Sequence, residues 1–260
     1  MLKIQKMFTS LLITLTGIYF IIGLILYFMQ RELIYHPTQT IQHSFEEEIF
    51  VNNTVKITTT LLNKGKRDAI LYFGGNAETV DLNAQNFSRA FPNKTIYLVK
   101  YRGYSGSEGT PTEENLYEDA LYIFDHIKAN FTTLSVIGRS LGSGVASYVA
   151  SKRDIDKLVL ITPFESLENV AQSILQYYPM GLLLKDKYDS LSRVQDIKAP
   201  TLFLVAGDDQ LIKFHHTQKL FDQFKPQQAT LKTLKNTDHN SLSDTAEYYS
   251  ILSEFLKDKH

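Results

Sequence analysis

Cysteine is missing from all 260 residues of the chain. That excludes disulfides, thiol catalysis and cysteine-based zinc sites, and it points to no particular compartment. An excess of charge of either sign is missing too. The formal net charge is −1, so no surface is marked out for nucleic acid. No Gly-x-Gly-x-x-Gly loop follows the first strand and no spacing of ligand residues suits a metal, so neither cofactor nor metal is expected. Internal repeats and low-complexity tracts are absent. What remains is a hydrophobic fraction of 43%, enough for one domain core and an appendage.

The appendage comes first. Phe8 to Met29 carries no charge. As a helix at about 1.5 Å per residue it reaches roughly 33 Å, enough for the hydrocarbon core of a bilayer. The run is too long for a cleaved signal peptide and no clean small-x-small site follows it, so residues 1–30 are expected to be a retained membrane anchor. Lys3 and Lys6 precede the run; Arg31 and Glu32 follow it. The positive-inside rule then leaves the amino terminus in the cytoplasm and residues 31–260 outside it, which in a bacterium means a periplasm-facing domain on the inner membrane. Tyr19 falls near the middle of the span, too deep to serve as an interfacial anchor.

After a connector, Leu33 to His43, in which Tyr35-His36-Pro37 stops any helix, Phe45 to Leu62 reads as two antiparallel strands turning at Asn52-Asn53. Apolar runs at Ala69–Phe73, Thr95–Lys100, Leu134–Ile137, Lys157–Ile161, Thr201–Ala206 and Thr230–Leu234 read as strands. Helices are expected over Val80–Phe91, Thr112–Ile127, Ser143–Ser151, His215–Phe224 and Ala246–Leu256. Strands alternating with helices predict an α/β fold: a mostly parallel sheet with helices on both faces. Such sheets hold ligands at the carboxyl ends of their strands.

One of those ends reads Gly138-Arg139-Ser140-Leu141-Gly142, between a strand and a small-residue helix. Gly-x-Ser-x-Gly in that setting is the nucleophile elbow of α/β-hydrolases. A nucleophilic serine needs a base, and the base needs an orienting carboxylate. In this fold they follow in the order serine, acid, histidine. Of the seven histidines, His36, His43 and His126 precede Ser140. His215 and His216 sit together at a helix start and read as surface residues. His260 is terminal. His239 alone lies in a loop just after the last strand, and is the expected base. The acid should follow Thr201–Ala206, where Asp208 and Asp209 both qualify; Asp209 is preferred for the apolar residues after it. The oxyanion hole needs two backbone N–H groups: Leu141, and Asn76 or next to it Ala77, in the loop Gly74-Gly75-Asn76-Ala77.

At this point the chain resembles the membrane-anchored serine hydrolases of the α/β-hydrolase superfamily, the branch with an amino-terminal anchor that includes depalmitoylase-like proteins. The stretches Gln30-Arg31-Glu32-Leu33-Ile34-Tyr35-His36-Pro37, Tyr101-Arg102-Gly103-Tyr104-Ser105-Gly106-Ser107-Glu108-Gly109 and Gly138–Gly144 carry the likeness. It implies Ser140, Asp209 and His239 as triad, with Asn76 and Leu141 as oxyanion donors. Gly74 stands where the family usually has histidine, which leaves the packing of that loop open. An insert over about residues 164–198, with an apolar helical stretch at Leu167–Leu184, is expected to be a short lid that either holds an acyl chain or packs on the core. Three readings follow: a serine hydrolase of acyl esters or thioesters near a membrane; a serine peptidase on the same fold, for which Glu165 and Glu168 are weak candidates to hold a peptide amino terminus, a solvated face being their plainer reading; and a non-catalytic binding protein.

Overall fold

A computed structural model describes residues 2–257, so His260 lies outside the described residues. Eight strands form one sheet in the order β1-β2-β4-β3-β5-β6-β7-β8. β1 (Glu46–Asn52) and β2 (Val55–Leu62) form the expected hairpin, and β2 runs antiparallel to β4 (Lys94–Val99). From β4 onward, through β3 (Asp68–Phe73), β5 (Thr133–Arg139), β6 (Leu158–Ile161), β7 (Thr201–Ala206) and β8 (Ala229–Leu234), every pairing is parallel.

Two cores follow from the two-residue period of a strand. Ala69, Leu71 and Phe73 of β3 face one core, closed by α3 (Glu113–Lys128) and α4 (Leu141–Lys152) through Leu116, Ile123, Val145 and Val149. Ile70 and Tyr72 face the other, closed by α2 (Ala84–Ala90) and α8 (Ala246–Leu256) through Phe87, Leu252 and Leu256. Each such Leu or Phe contributes about 1.5–3 kcal/mol by leaving water. α3 starts where Thr112 accepts a hydrogen bond from the Asn115 amide at 3.1 Å, satisfying an N–H the first helical turn leaves open. The segment expected as one helix over Val80–Phe91 begins as a 3₁₀ turn, Val80–Asn83, before α2.

α1 covers Leu2–Ile34, beyond the apolar run at both ends. It is long and apolar enough to cross a membrane, and its apolar window is not buried against the rest of the protein. Between β6 and β7 the insert is not one helix. α5 (Leu167–Ile174) and α6 (Met180–Leu183) are separated by residues 175–179, and Pro179 at the start of α6 keeps the two from joining, because proline has no N–H to continue a helix and disfavours helical backbone in the residue before it. α7 (Phe214–Phe221) follows β7. Its His216 corrects the surface reading. The ring is 3% exposed and its Nδ1 lies 2.9 Å from a carboxylate oxygen of Glu165, itself 2% exposed. The two residues share an interior site because a polar group in so dry a place needs a hydrogen-bond partner.

Candidate active site

Parallel strands end on one edge, and the register brings the ends of β3, β5 and β6 level: Phe73 pairs with Gly138 and Arg139 with Ile161. Ser140 sits at the turn from β5 into α4 with φ 50° and ψ −118°, a strained conformation for a residue with a side chain. The turn is possible because two neighbours lack Cβ atoms. One on Gly138 would lie 2.2 Å from the Gly142 carbonyl oxygen, and one on Gly142 would lie 2.1 Å from that of Phe73. The backbone therefore closes tightly under the serine, which stands half-buried at the sheet edge.

His239, in the loop after β8, places Nε2 3.0 Å from Ser140 Oγ and Nδ1 2.7 Å from Asp209 Oδ2. Asp209 is itself held, since its Oδ1 accepts the amides of Leu211 at 2.9 Å and Ile212 at 2.8 Å. Asp208 is exposed at the loop surface, where its amide donates to the Thr237 carbonyl. The structure thus brings Ser140, His239 and Asp209 together and leaves Asp208 aside.

Leu141 is the first residue of α4, so its N–H has no carbonyl one turn earlier to bond. The loop after β3 passes beside the nucleophile: a Cβ on Gly75 would lie 3.7 Å from Ser140 Cβ. Among the described residues, no hydrogen bond takes up the amide of Leu141 or of Asn76. The Asn76 side chain donates to the Ile34 carbonyl at 2.9 Å, at the end of α1.

Four further residues shape this site, and their roles were not legible in the sequence. Tyr101 donates to the Gly74 carbonyl at 2.8 Å and Tyr104 to the Asn76 carbonyl at 2.6 Å. These two bonds turn the carbonyls of the loop toward the phenols. Burial pushes the Tyr104 phenol up to about 12 and the Tyr101 phenol well above its usual value, so both stay protonated donors. The signal was present in Tyr-Arg-Gly-Tyr, but a motif does not say what its side chains touch. On the other side, Glu78 accepts from the Gly75 amide at 2.7 Å and Tyr72 at 2.6 Å, and lies 3.7 Å from Arg139. Arg139 donates to the carbonyls of His239 at 3.0 Å and Asn240 at 3.3 Å. Burial works against the Arg139 charge, but the Glu78 carboxylate and the Tyr72 and Tyr248 phenols together outweigh it and raise the guanidinium pKa.

Arg139 and Glu78 therefore tie the histidine loop to the loop beside Ser140. Arg139→Met is expected to cost about 3 kcal/mol, because it leaves a largely buried carboxylate without its cation. Thermal unfolding should show Tm lowered by roughly 10 °C; an unchanged Tm would show that the clamp contributes nothing.

Above Ser140 lies a cavity of about 950 Å³. Ser140, Leu141, Asn76 and His239 form its floor, and Val170, Ile174, Met180 and Leu184 of the insert form its roof. Leu26, Leu33 and Ile34 of α1 supply a further wall. The roof is apolar, while Asn83, Asn86, Ser243 and Asp244 are among the polar residues that line the rest.

No protein-family model matches the chain. Lysophosphatidylserine lipase ABHD12 of Rattus norvegicus is 31% identical over 222 residues, which cover 72% of this chain and 55% of the lipase. A Mycobacterium tuberculosis protein described as uncharacterized is 30% identical over 161 residues, 60% of this chain and 57% of its own length. The chain thus spans about half the length of these relatives. It matches an uncharacterized membrane protein of Saccharomyces cerevisiae almost end to end, 99% of this chain and 98% of that one, at 26% identity. Among solved structures, an esterase of Pyrococcus furiosus superposes with a TM-score of 0.69 at 18% identity, covering 86% of this chain and 96% of that one. An enol-lactonase of Burkholderia xenovorans does so at 0.65 and 12% identity, covering 81% and 100%. At such identities these two speak for the fold alone. The chain thus has the α/β-hydrolase fold and one N-terminal helix long and apolar enough to cross a membrane, and it is similar in sequence to a lysophosphatidylserine lipase and to a membrane protein.

Proposed function

We propose that the protein is a serine hydrolase that cleaves carboxylic ester or thioester bonds of acyl substrates near a membrane. The observation that carries this is the chain of hydrogen bonds from Ser140 through His239 to Asp209, at 3.0 and 2.7 Å. His239 Nε2 takes the Ser140 proton as Oγ attacks the acyl carbon. The charge that develops on the carbonyl oxygen falls to the amides of Asn76 and Leu141. His239 then hands its proton to the departing alcohol or thiol, leaving an acyl-enzyme on Ser140. Water, deprotonated by the same ring, releases the acid and restores the serine. Asp209 keeps the proton of the resting imidazole on Nδ1 and stabilises the imidazolium.

The relatives supply the substrate class. The rat relative is a lysophosphatidylserine lipase, and the apolar roof of the cavity suits an acyl chain. The peptidase reading has less behind it. Glu165 is taken by His216, and Glu168 lies 2.8 Å from Lys187; neither lines the cavity. Lys3 and Lys6 ahead of the apolar run favour a cytoplasmic amino terminus and a hydrolase domain, residues 31–260, on the other side, facing the periplasm if the cell is bacterial. The insert of residues 164–198 acts as its lid.

A panel of p-nitrophenyl esters of rising chain length tests the substrate class, beside the matching thioesters and anilides. Hydrolysis is expected to rise with acyl length until the cavity is filled, and to be slow on the anilides. A preference for anilides with a free amino terminus would overturn the ester reading in favour of the peptidase.

A further inference from the structure

The insert and the anchor helix are joined at two levels, and the lower one lies deep in the apolar span. At the upper level, Arg31 pairs with Asp186 at 3.0 Å, Tyr35 donates to the same carboxylate, and the Lys185 ammonium sits 4.3 Å from the centre of the Tyr27 ring. Gln30 adds bonds to the Leu183 carbonyl and the Lys185 amide. Charges cluster here. Asn169 to Leu184 of the insert carries none, and the Glu168–Lys187 pair that flanks it, 2.8 Å apart, closes on the Gly181 carbonyl at 2.8 Å. At the lower level Tyr19 stacks on Tyr178, with ring centres 4.7 Å apart, and donates to the Tyr177 carbonyl at 2.8 Å. Too deep in the span for an interfacial anchor, Tyr19 holds the insert instead.

Tyr19 is about 18 Å along the helix from Arg31, at about 1.5 Å per residue. A hydrocarbon core is about 30 Å thick. With the charged belt at the headgroups, the tip of the insert lies well inside the hydrocarbon. Much of its backbone is paired within the protein. Irregular chain in lipid must satisfy its own polar groups. Gln172 donates to the carbonyls of Leu175 and Gln176 and accepts the Met180 amide, the Tyr178 amide reaches the Leu175 carbonyl, and Tyr19 covers that of Tyr177. Meanwhile Ile174, Tyr177 and Leu182 stand 70%, 87% and 84% exposed, an arrangement that water disfavours and lipid does not.

We propose that the tip of the insert, Ile174 to Leu182, is immersed in the bilayer, and that the cavity opens sideways to it past Leu26 and Leu33 of the anchor. The occupant is the acyl chain of a lipid ester resident in that bilayer, which slides along the helix to Ser140 without crossing water. The anchor is thereby a wall of the substrate site as well as a tether. The immersion stands on geometry alone; the substrate rests on the hydrolase reading above.

The chain has no tryptophan, so Tyr177→Trp makes a single fluorophore at the tip. Full-length protein in phosphatidylcholine vesicles is read with lipids brominated near mid-chain. Blue-shifted emission, quenched by the bromolipid, is expected. Ile49→Trp, on the edge strand β1, should show neither. Water-like emission from Tyr177→Trp, unquenched by bromolipid, overturns the proposal, and does so whether or not the protein is an enzyme. A second arm uses Tyr177→Asp with Leu182→Asp. The ratio of rates on a vesicle-borne long-chain ester and a soluble short-chain ester should fall at least about ten-fold. Quenching with an unchanged ratio would keep the tip in the bilayer but overturn access from it. Failure of the parent protein to hydrolyse either ester would sink the hydrolase reading and leave the fluorescence result standing.

Discussion

Ser140→Ala is expected to lower kcat/KM by about 10⁴- to 10⁶-fold and to abolish covalent labelling by a fluorophosphonate probe. The loss is that large because nucleophile and base act as one unit: without Oγ, His239 Nε2, now 3.0 Å from it, has no proton to take. Binding through the cavity would survive. The fold should survive too. Alanine removes one atom from a half-buried position and keeps the Cβ that the strained turn already accommodates, so Tm should stay close to that of the parent. The comparison is made on membrane-bound full-length protein, by gel fluorescence and by ester hydrolysis. Equal labelling of the parent and the mutant would sink the assignment of Ser140. Failure of folded parent protein to label at all would move the weight to a binding protein that keeps the fold.

Asp209→Asn should cost about 10⁴-fold in kcat. Its carboxylate is engaged on both sides: Oδ1 accepts the amides of Leu211 and Ile212, and Oδ2 faces His239 Nδ1 at 2.7 Å. In the asparagine variant only the carbonyl oxygen can accept those two amides. Its NH₂ is then forced toward Nδ1, which must turn acceptor. The ring proton moves to Nε2, the atom that has to take the proton of Ser140. The geometry is kept and the tautomer is wrong. Asp208→Asn, on an exposed side chain at the same turn, should leave kcat near that of the parent. A large loss at Asp208 with little at Asp209 would reverse the assignment made here.

The strands could be read from the sequence because each of the inner ones is buried on both faces and so appears as an unbroken apolar run bounded by turn residues. The elbow was equally plain: a tight turn under a serine demands glycine at Gly138 and Gly142, and few other needs put them there. The insert was harder. Val170, Ile174, Met180 and Leu184 have a helical look, yet Pro179 splits them into two short helices. The sequence reads His216 as a surface residue, since a partner 51 positions away in sequence leaves no local mark.

By itself, then, the sequence determined the α/β sheet, the order of serine, acid and histidine, and the presence of an apolar helix at the start, because periodicity, backbone conformation and length are local properties. Three things were decided only by the tertiary structure. It placed the Asp209 carboxylate, and not that of Asp208, 2.7 Å from His239, where the sequence offers only a preference between two neighbours in one turn. It gave Tyr101, Tyr104, Glu78 and Arg139 the task of holding the loops around Ser140, since each acts through atoms far away in the chain. And it laid the anchor helix along the cavity, with Tyr19 stacked on Tyr178. No pattern in one segment records which face of it another segment will cover.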